Sequence, residues 1–273
     1  MPLSPSTPPL VIKLGGAALD DIAAATDLWS AVAEAHRVLE GRLILVHGGG
    51  LLVDRHLDRL GMTSARRDGI RITPPEQVNE IAAVLAGRVN KSIVGAMQAH
   101  GVPSVGLCLG DAHTADTRKA DQYPFDPGRV GRVTGGDPTL LNALLEAAFL
   151  PVLSSIGLAS DGSFLNINAD DAAAAIASIV RARRLILLTD VPGILDEHRR
   201  TIASATPADI ETLIARGVIS GGMIPKANAA ARAAADTGVP TTIASFKQPA
   251  DLVRLARGET IGTTVVASRI SRE

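Results

Sequence analysis

Two lysines and several glycine turns are the residues of this chain best suited to chemistry on a phosphate group. Lys13 lies inside an apolar strand run, residues 10–14, that ends in Gly15 and Gly16. A second apolar run, residues 43–47, ends in three consecutive glycines. Glycine backbone can approach an anion closely, and a following helix start adds the positive end of its dipole. Two such turns at neighbouring strand ends predict one wide phosphate-binding crevice, in which Lys13 needs an anionic partner.

A third glycine pair precedes the second lysine. Gly221 and Gly222 are followed by Met223 and, after a proline, by Lys226 at the start of a predicted helix. Proline is compatible with a first helical turn, so this segment is similar to an anion cradle. Phosphoryl transfer depends mainly on positioning and on positive charge around the transferring group. Lys13 from one side and Lys226 from the other would supply that charge.

Three further segments suit the same crevice. Arg71 follows a turn and offers a planar guanidinium to a carboxylate, although a surface arginine near a helix cap is an equally good interpretation. Asn166, Asn168 and Asp170 precede an alanine-rich helix, where they would position substrate and lysine, or Asp170 or Asn168 would simply cap the helix. Asp190 opens a Pro-Gly loop after the strand run 185–189, which is either a resting place for adenine or ribose or an ordinary turn.

Several other function classes lack their sequence signatures. The chain has no GxxxxGK[ST] phosphate loop and no GxGxxG followed by an acidic residue ~20 positions on. Its six histidines show no metal-ligand spacing. A net charge of −1, without a basic run and with 2% aromatic residues, disfavours nucleic-acid binding.

Composition predicts a globular α/β protein. Of the 273 residues, 46% are hydrophobic and 2% aromatic, so the core must consist of Ala, Val, Ile and Leu. The single cysteine, Cys108, fits a reducing compartment. Residues 1–9 are rich in Pro and Ser and are expected to form a disordered tail without signal-peptide features. No uncharged apolar run reaches 18 residues, and the chain is expected to be soluble, cytoplasmic and free of membrane partners.

Strand and helix signals alternate along the chain, which predicts a mainly parallel sheet with helices on both faces. The predicted strands are 10–14, 43–47, 103–107, 151–155, 185–189 and 240–244. The predicted helices are 21–39, 50–60, 75–99, 138–147, 170–181, 207–216 and 225–237. Residues 111–136 break this rhythm and are expected to form an irregular or hairpin-bearing excursion, in which 129–134 and 163–167 supply two antiparallel strands. A boundary between two lobes is predicted near 178–184.

Together these segments resemble the amino acid kinase family over roughly residues 10–265. The matching segments are Lys13–Gly16, His47–Gly50, Gly69–Thr73, Asn166–Asp170, Thr189–Ile194 and Gly221–Lys226. The Lys-Gly-Gly element is common to the whole superfamily. The Arg71 segment, Asn-x-Asn-Ala-Asp and Gly-Gly-Met-Ile-Pro-Lys point to its acetylglutamate branch. The resemblance implies a three-layer αβα sandwich and ATP-dependent phosphorylation of the side-chain carboxylate of N-acetyl-L-glutamate, a step of arginine biosynthesis that yields an acyl phosphate.

The resemblance also implies roles for individual residues. Lys13 and Lys226 would stabilise the transferring phosphoryl group, and Asp170 would hold both lysines in place. The acylated amino acid would be bound by Gly49, Gly50, Arg71, which takes its α-carboxylate, and Asn166. The residues expected near the nucleotide are Gly15, Gly16, Asp190, Val191, Gly193, Ile194, Leu195, Gly221, Gly222 and Met223. Magnesium would arrive on the ATP phosphates, so no protein metal ligand is expected.

The same resemblance implies an N-terminal lobe, residues 10–180, for the amino acid and dimerisation, and a C-terminal lobe, residues 181–273, for ATP. Arginine-inhibited members of the family carry an additional N-terminal helix, for which the Pro-rich residues before the first strand are unsuited. The chain is therefore expected to be a homodimer that arginine does not inhibit.

Two alternatives remain open at this point. A kinase for N-acetyl-aminoadipate or its carrier-bound form, in lysine biosynthesis, differs by one methylene, which is worth only ~1–3 kcal/mol of discrimination. A catalytically silent nucleotide-sensing protein on the same fold is the other, although such a protein has no need of both lysines and Asp170.

Overall fold

Continuous runs of Val, Ile and Leu form the central strands, because strands covered on both faces need apolar residues at every position. The computed structural model describes residues 7–267. The strands are β1 (Leu10–Leu14), β2 (Leu43–His47), β3 (Ala65–Arg67), β4 (Ile70–Ile72), β5 (Ser104–Cys108), β6 (Asp116–Lys119), β7 (Val130–Gly135), β8 (Leu150–Ser154), β9 (Ile156–Leu158), β10 (Phe164–Ile167), β11 (Arg184–Thr189), β12 (Ser204–Ala205), β13 (Thr241–Ser245) and β14 (Thr263–Val265).

The helices are α1 (Thr26–Val38), α2 (Gly50–Arg59), α3 (Pro75–Ala82), α4 (Asn90–Ala99), α5 (Thr139–Glu146), α6 (Ala169–Ile179), α7 (Pro207–Ala215), α8 (Met223–Thr237) and α9 (Pro249–Ala256). A π-helical segment, Ala83–Val89, joins α3 to α4 without a break. Short 3₁₀ turns lie at Gly16–Leu19 and Asp111–His113.

Eight strands form the central sheet in the order β12-β14-β13-β11-β1-β2-β8-β5. All six strand runs predicted from the sequence are in it, and they pair in parallel with one another. The exception lies at one edge, where β14 runs antiparallel to β13. The expected mainly parallel sheet is therefore confirmed.

The two faces of this sheet are covered by separate apolar clusters, which gives three layers. Leu10, Ile12 and Leu14 of β1 join the cluster that includes Trp29 of α1. Val11 points the other way, into a cluster formed with α5, α6, α7 and α8. Fully buried alanines such as Ala173 line that second face and let the helices approach the sheet closely. The expected three-layer αβα architecture is present.

The excursion between β5 and α5 contributes to a smaller sheet, of order β6-β7-β10-β9. The hairpin expected within 111–136 is β6–β7, which is antiparallel. The runs 129–134 and 163–167 do form strands, β7 and β10, but they pair with each other in parallel. The expectation that these two runs are an antiparallel pair was wrong, because each takes its antiparallel partner elsewhere, β6 and β9 respectively.

Other differences from the sequence prediction lie at element ends and in short elements. Helix α1 begins at Thr26 rather than at residue 21. The hairpin β3–β4, helix α9 and strands β12 and β14 have too short an apolar pattern to be predicted. Most of the predicted tail, residues 1–6, lies outside the described residues. None of the helices within 7–267 has the length and apolar character needed to cross a membrane.

Candidate active site

Lys13 and Asp170 form an ion pair at the carboxyl end of β1. Side chains alternate along a strand, so Lys13 lies on the same face as Val11, which α6 covers. Asp170 stands in the first turn of α6, and its Oδ1 is 2.9 Å from the Lys13 Nζ. The Lys13 side chain is only 15% exposed. Asp170 is thus the anionic partner that a lysine in this strand needs.

Asn168 caps helix α6 and leaves the Asp170 side chain available for Lys13. The Asn168 Oδ1 accepts hydrogen bonds from the backbone N–H groups of Asp170, at 2.8 Å, and Asp171, at 3.2 Å. The capping role and the lysine-holding role, which the sequence could not separate, belong to different residues. The positive end of the helix dipole also favours a carboxylate at Asp170.

Lys226 has a partner of its own. Its Nζ donates to Asp190 Oδ1, which also accepts from Thr189 Oγ1 at 2.9 Å. These hydrogen bonds lower the pKa of Asp190 to about 2. Among the described residues, Asp170 is paired with Lys13 and Asp190 with Lys226, which corrects the expectation that Asp170 holds both lysines. Asp190 directly follows β11, the strand beside β1, so its carboxylate lies at the same sheet edge.

Both lysines line one cavity of about 400 Å³, here called the first cavity. Gly15, Gly16, Asp170 and Asp190 also line it. Its apolar walls come from residues to which the sequence analysis gave no binding role: Leu187, Leu188, Ile243 and Phe246. The signal that could have found them is their position at the carboxyl ends of β11 and β13, where parallel sheets bind ligands.

The remaining residues expected near the nucleotide do not line the first cavity. They are Val191, Gly193, Ile194, Leu195, Gly221, Gly222 and Met223. The Ile194 side chain is fully buried in the apolar cluster beneath α7 and α8, and its N–H donates to Thr263 Oγ1 at 2.8 Å. It therefore packs the core and does not face the site.

A second cavity, of about 240 Å³, adjoins the first. The residues expected to bind the amino acid all line it: Gly49, Gly50, Arg71 and Asn166. Lys13, Gly15, Gly16 and Asp170 line both cavities. The ion pair therefore stands on the wall between them. Arg66 and Tyr123, which the sequence reasoning missed, also line the second cavity.

Arg71 is held rigidly at this cavity. Its guanidinium donates through Nη1 to Asp54 Oδ1 and to Ser64 Oγ, and through Nη2 to the Gly50 carbonyl at 3.0 Å. Partial burial raises the pKa of Asp54, but hydrogen bonds from Arg71, Arg66 and Ser64 outweigh it and bring the pKa to about 2. Asp54 is thus an anion at every pH at which the protein would work.

Thr73 links Arg71 to Asn166. The Asn166 Nδ2 donates to Thr73 Oγ1 at 3.0 Å, and that hydroxyl donates to the Arg71 carbonyl at 3.2 Å. Thr73 is fully buried, and its carbonyl accepts from the Arg129 N–H. These hydrogen bonds connect the base of the β3–β4 hairpin to β10 and so link Arg71 with Asn166.

His47 braces the glycine turn that follows β2. The Asn90 Nδ2 donates to the Val152 carbonyl at 2.8 Å and contacts His47 Nε2 at 3.1 Å, so Nε2 accepts and Nδ1 carries the proton. Nδ1 then donates to the Gly48 carbonyl at 2.9 Å. Burial lowers the pKa of His47 to about 4, so this ring is neutral. Because the two groups of a trans peptide point in opposite directions, the Gly49 N–H is turned away from His47.

The arrangement suits phosphoryl transfer between two bound molecules. An acid with one carboxylate held by Arg71 would present a second carboxylate to a phosphate chain held beside Lys226, with Lys13 between them. Two ammonium groups then face the place where negative charge develops. Within residues 7–267, no three His, Cys, Asp or Glu side chains are grouped closely enough to hold a metal ion.

Known proteins are similar to this chain over almost its whole length. The profile of the amino acid kinase family matches residues 8–245. The acetylglutamate kinase of Pectobacterium atrosepticum is 42% identical over 259 residues, which are 95% of this chain and 99% of that protein. The acetylglutamate kinase of Sodalis glossinidius is 43% identical over 261 residues, with 95% and 99% of the two chains covered.

A solved structure is similar over almost the whole chain. The crystal structure of smu.665 from Streptococcus mutans UA159 superposes with a TM-score of 0.75 at 27% sequence identity. The match covers 95% of this chain and 98% of the other. The family profile covers every residue that lines the two cavities except Phe246.

Proposed function

Since this chain belongs to the amino acid kinase family, we propose that it transfers the γ-phosphoryl group of ATP to the side-chain carboxylate of N-acetyl-L-glutamate, as a step of arginine biosynthesis. One observation carries the proposal. The Lys13–Asp170 pair stands between a cavity lined by Lys226 and a cavity lined by Arg71. The identity to acetylglutamate kinases over 95% of the chain supports the choice of acceptor.

The amino acid would occupy the second cavity. Its α-carboxylate would pair with Arg71, and its acylated amino group would approach Asn166. The side-chain carboxylate would then lie beside Gly49, whose backbone N–H group can bind an anion closely. This orientation directs the nucleophile towards Lys13 and the first cavity.

ATP would occupy the first cavity with its phosphates towards Gly15 and Gly16. A carboxylate oxygen of the amino acid attacks the γ-phosphorus, and the bond from that phosphorus to the bridging oxygen breaks. The electron pair leaves with ADP, and the product is an acyl phosphate. Lys13, which borders both cavities, would stabilise the transferring group, and Lys226 would stabilise charge on the leaving side. Magnesium bound to the ATP phosphates would neutralise part of their charge.

Assembly and location are part of the same proposal. We infer a homodimer whose surface lies in the N-terminal lobe, residues 10–180, where β5 is an edge strand of the central sheet. An ATP-dependent biosynthetic enzyme with one free cysteine belongs in the cytoplasm. Sedimentation of the purified chain tests the dimer, and a monomer at micromolar concentration would contradict it.

An acyl-phosphate assay tests the activity. ATP and each candidate acceptor are incubated with the protein, and hydroxylamine traps the product. N-acetyl-L-glutamate should be a better acceptor than N-acetyl-aminoadipate, glutamate or aspartate. A higher kcat/KM for N-acetyl-aminoadipate would assign the chain to lysine biosynthesis. If no acceptor yields an acyl phosphate, the alternative of a catalytically silent nucleotide-sensing protein is favoured.

Lysine variants then test the mechanism. Lys13→Met and Lys226→Met should each lower kcat by at least ~10²-fold, the loss typical of a preorganised electrostatic group. Lys119→Met is the matched control, because Lys119 is also paired with a carboxylate, Asp126 at 3.1 Å, but lines neither cavity. Turnover within twofold of the unmodified enzyme in either site variant would refute the assigned role.

A further inference from the structure

The β3–β4 hairpin brings two guanidinium groups side by side. In its antiparallel register, Arg66 is directly opposite Arg71. Residues opposite each other in a pair of strands have their side chains on the same face of the sheet. Two positive charges in this relation repel each other, so the arrangement needs an anion between them.

Asp54 of α2 is the resident anion, and it is shared. One carboxylate oxygen accepts from Arg71 Nη1, and the other accepts from Arg66 Nη2 at 2.6 Å. A single negative charge therefore faces two positive charges. The cluster keeps one surplus positive charge at the edge of the second cavity.

Both guanidinium groups face the same point above the glycine turn. Each arginine lines the second cavity. A Cβ atom placed on Gly50 would lie 3.7 Å from Arg71 Nη2 and 3.9 Å from Arg66 Nη2. The space directly over Gly50 is thus flanked by two cations.

The two arginines differ in how many donors they have to spare. Arg71 has a side chain only 9% exposed, and its donors go to Asp54, Ser64 and the Gly50 carbonyl. Arg66 has a side chain 44% exposed, and Asp54 is the one partner that the structure shows for it within the described residues. A guanidinium has five N–H donors, so Arg66 can bind a second carboxylate while it keeps Asp54.

We propose that Arg66 is a specificity-determining residue that binds the α-carboxylate of the acyl amino acid together with Arg71. The inference rests on the proposed function, since it takes the second cavity as the acceptor site. The carboxylate would bind over Gly50 between the two guanidinium groups, where it neutralises the surplus positive charge. Asp54 keeps both groups in position for it.

The neighbouring arginine provides a matched control. Arg67 is on the opposite face of β3, with its Cζ 4.6 Å from the centre of the Phe125 ring. It has the same charge, on the same hairpin, and does not line the second cavity. Loss of the Arg67 charge changes the hairpin without changing the acceptor site.

The experiment compares Arg66→Met, Arg66→Lys and Arg67→Met. A hydrogen bond to a charged group is worth enough to change affinity by about tenfold or more, and partial exposure of Arg66 favours the lower figure. Arg66→Met should raise the KM for N-acetyl-L-glutamate about tenfold, with kcat within threefold and the KM for ATP unchanged. Arg66→Lys should recover part of the loss, and Arg67→Met should leave both KM values unchanged.

A second acceptor identifies the group that Arg66 binds. The α-amide of N-acetyl-L-glutamate lacks the α-carboxylate but keeps the reacting one. Arg66→Met should leave the KM for this amide within twofold of the unmodified enzyme. Equal effects on acid and amide, or Arg66→Met behaving like Arg67→Met, would overturn the inference.

Calorimetric binding of N-acetyl-L-glutamate without ATP separates this inference from the proposed function. Binding that Arg66→Met weakens about tenfold supports the carboxylate site even if no acyl phosphate is formed. If the unmodified protein forms product but Arg66→Met binds N-acetyl-L-glutamate with unchanged affinity, only the role of Arg66 is refuted and the proposed function stands. Failure of the unmodified protein to bind the acid would refute both.

Discussion

A methyl group added at Gly15 should displace the Lys13 side chain and lower the activity, although Lys13 itself is not substituted. A Cβ atom on Gly15 would lie 2.5 Å from the Lys13 Nζ and 2.9 Å from its Cε. These distances are below any real contact, so one partner must move. The obstructing atoms are the end of a flexible side chain, and the φ of Gly15 is not in the left-handed region. The lysine will therefore move, and the backbone will not.

The size of that movement sets the size of the effect. A contact between carbon and nitrogen needs about 3.4 Å or more, so the ammonium must shift by about 1 Å. The Lys13 Nζ is 2.9 Å from Asp170 Oδ1. A shift of about 1 Å moves this ammonium group away from its position on the wall between the two cavities. A displacement of about 1 Å in a catalytic group costs on the order of 10²-fold in rate. We expect Gly15→Ala to lower kcat by about that factor.

Acyl-phosphate trapping gives kcat, and thermal unfolding gives stability. The unfolding midpoint of Gly15→Ala should stay within a few degrees of the unmodified protein, because the added methyl group displaces only a partly exposed side-chain end. Gly95→Ala is the matched control. Gly95 is exposed on α4, and a Cβ there meets nothing within 4 Å. It should keep full activity.

The double variant decides whether the effect passes through Lys13. If it does, Gly15→Ala combined with Lys13→Met should be no slower than Lys13→Met alone, since the lysine can be lost only once. A kcat for Gly15→Ala within threefold of the unmodified enzyme would refute the argument. So would a double variant in which the two losses multiply.

Two further predictions concern the elements that support the site. Asn90→Ala should lower the free energy of unfolding by about 1–3 kcal/mol, because it leaves the buried His47 Nε2 without its donor; chemical denaturation measures it, and a loss below 0.5 kcal/mol would contradict it. Asp54→Asn should flatten the dependence of stability on pH between about pH 5 and pH 2. The pKa of Asp54 is lowered to about 2 in the folded state, so its contribution is complete above the unfolded pKa and is lost as the pH falls towards 2. Solvent screens this partly exposed carboxylate, so the part of the free energy of unfolding that depends on its charge should be about 1–2 kcal/mol. Identical pH profiles of stability for Asp54→Asn and the unmodified protein would refute the prediction.

Local sequence patterns determined most of the central sheet and the glycine turns. A buried parallel strand shows itself as an unbroken apolar run, and an anion-binding turn as adjacent glycines between such a run and a helix. Residues 10–16 and 43–50 carry both signals within a few positions. The β3–β4 hairpin could not be predicted from such patterns, because its strands of three residues are too short to show a hydrophobic period.

Pairings between distant residues were decided only by the tertiary structure. The sequence analysis gave Lys226 Asp170 as its partner, and the structure pairs it with Asp190 instead. The sequence also did not indicate that Asp54 would contact both Arg66 and Arg71, because that contact requires α2 and the β3–β4 hairpin to pack against each other.

The sequence of this chain thus determined which residue types are available for phosphoryl transfer and at which strand ends they stand. These properties depend on neighbours along the chain. Only the tertiary structure decided which charge faces which. An ion pair depends on distances of a few ångströms between segments that are far apart in sequence, and the packing of helices on the sheet sets those distances.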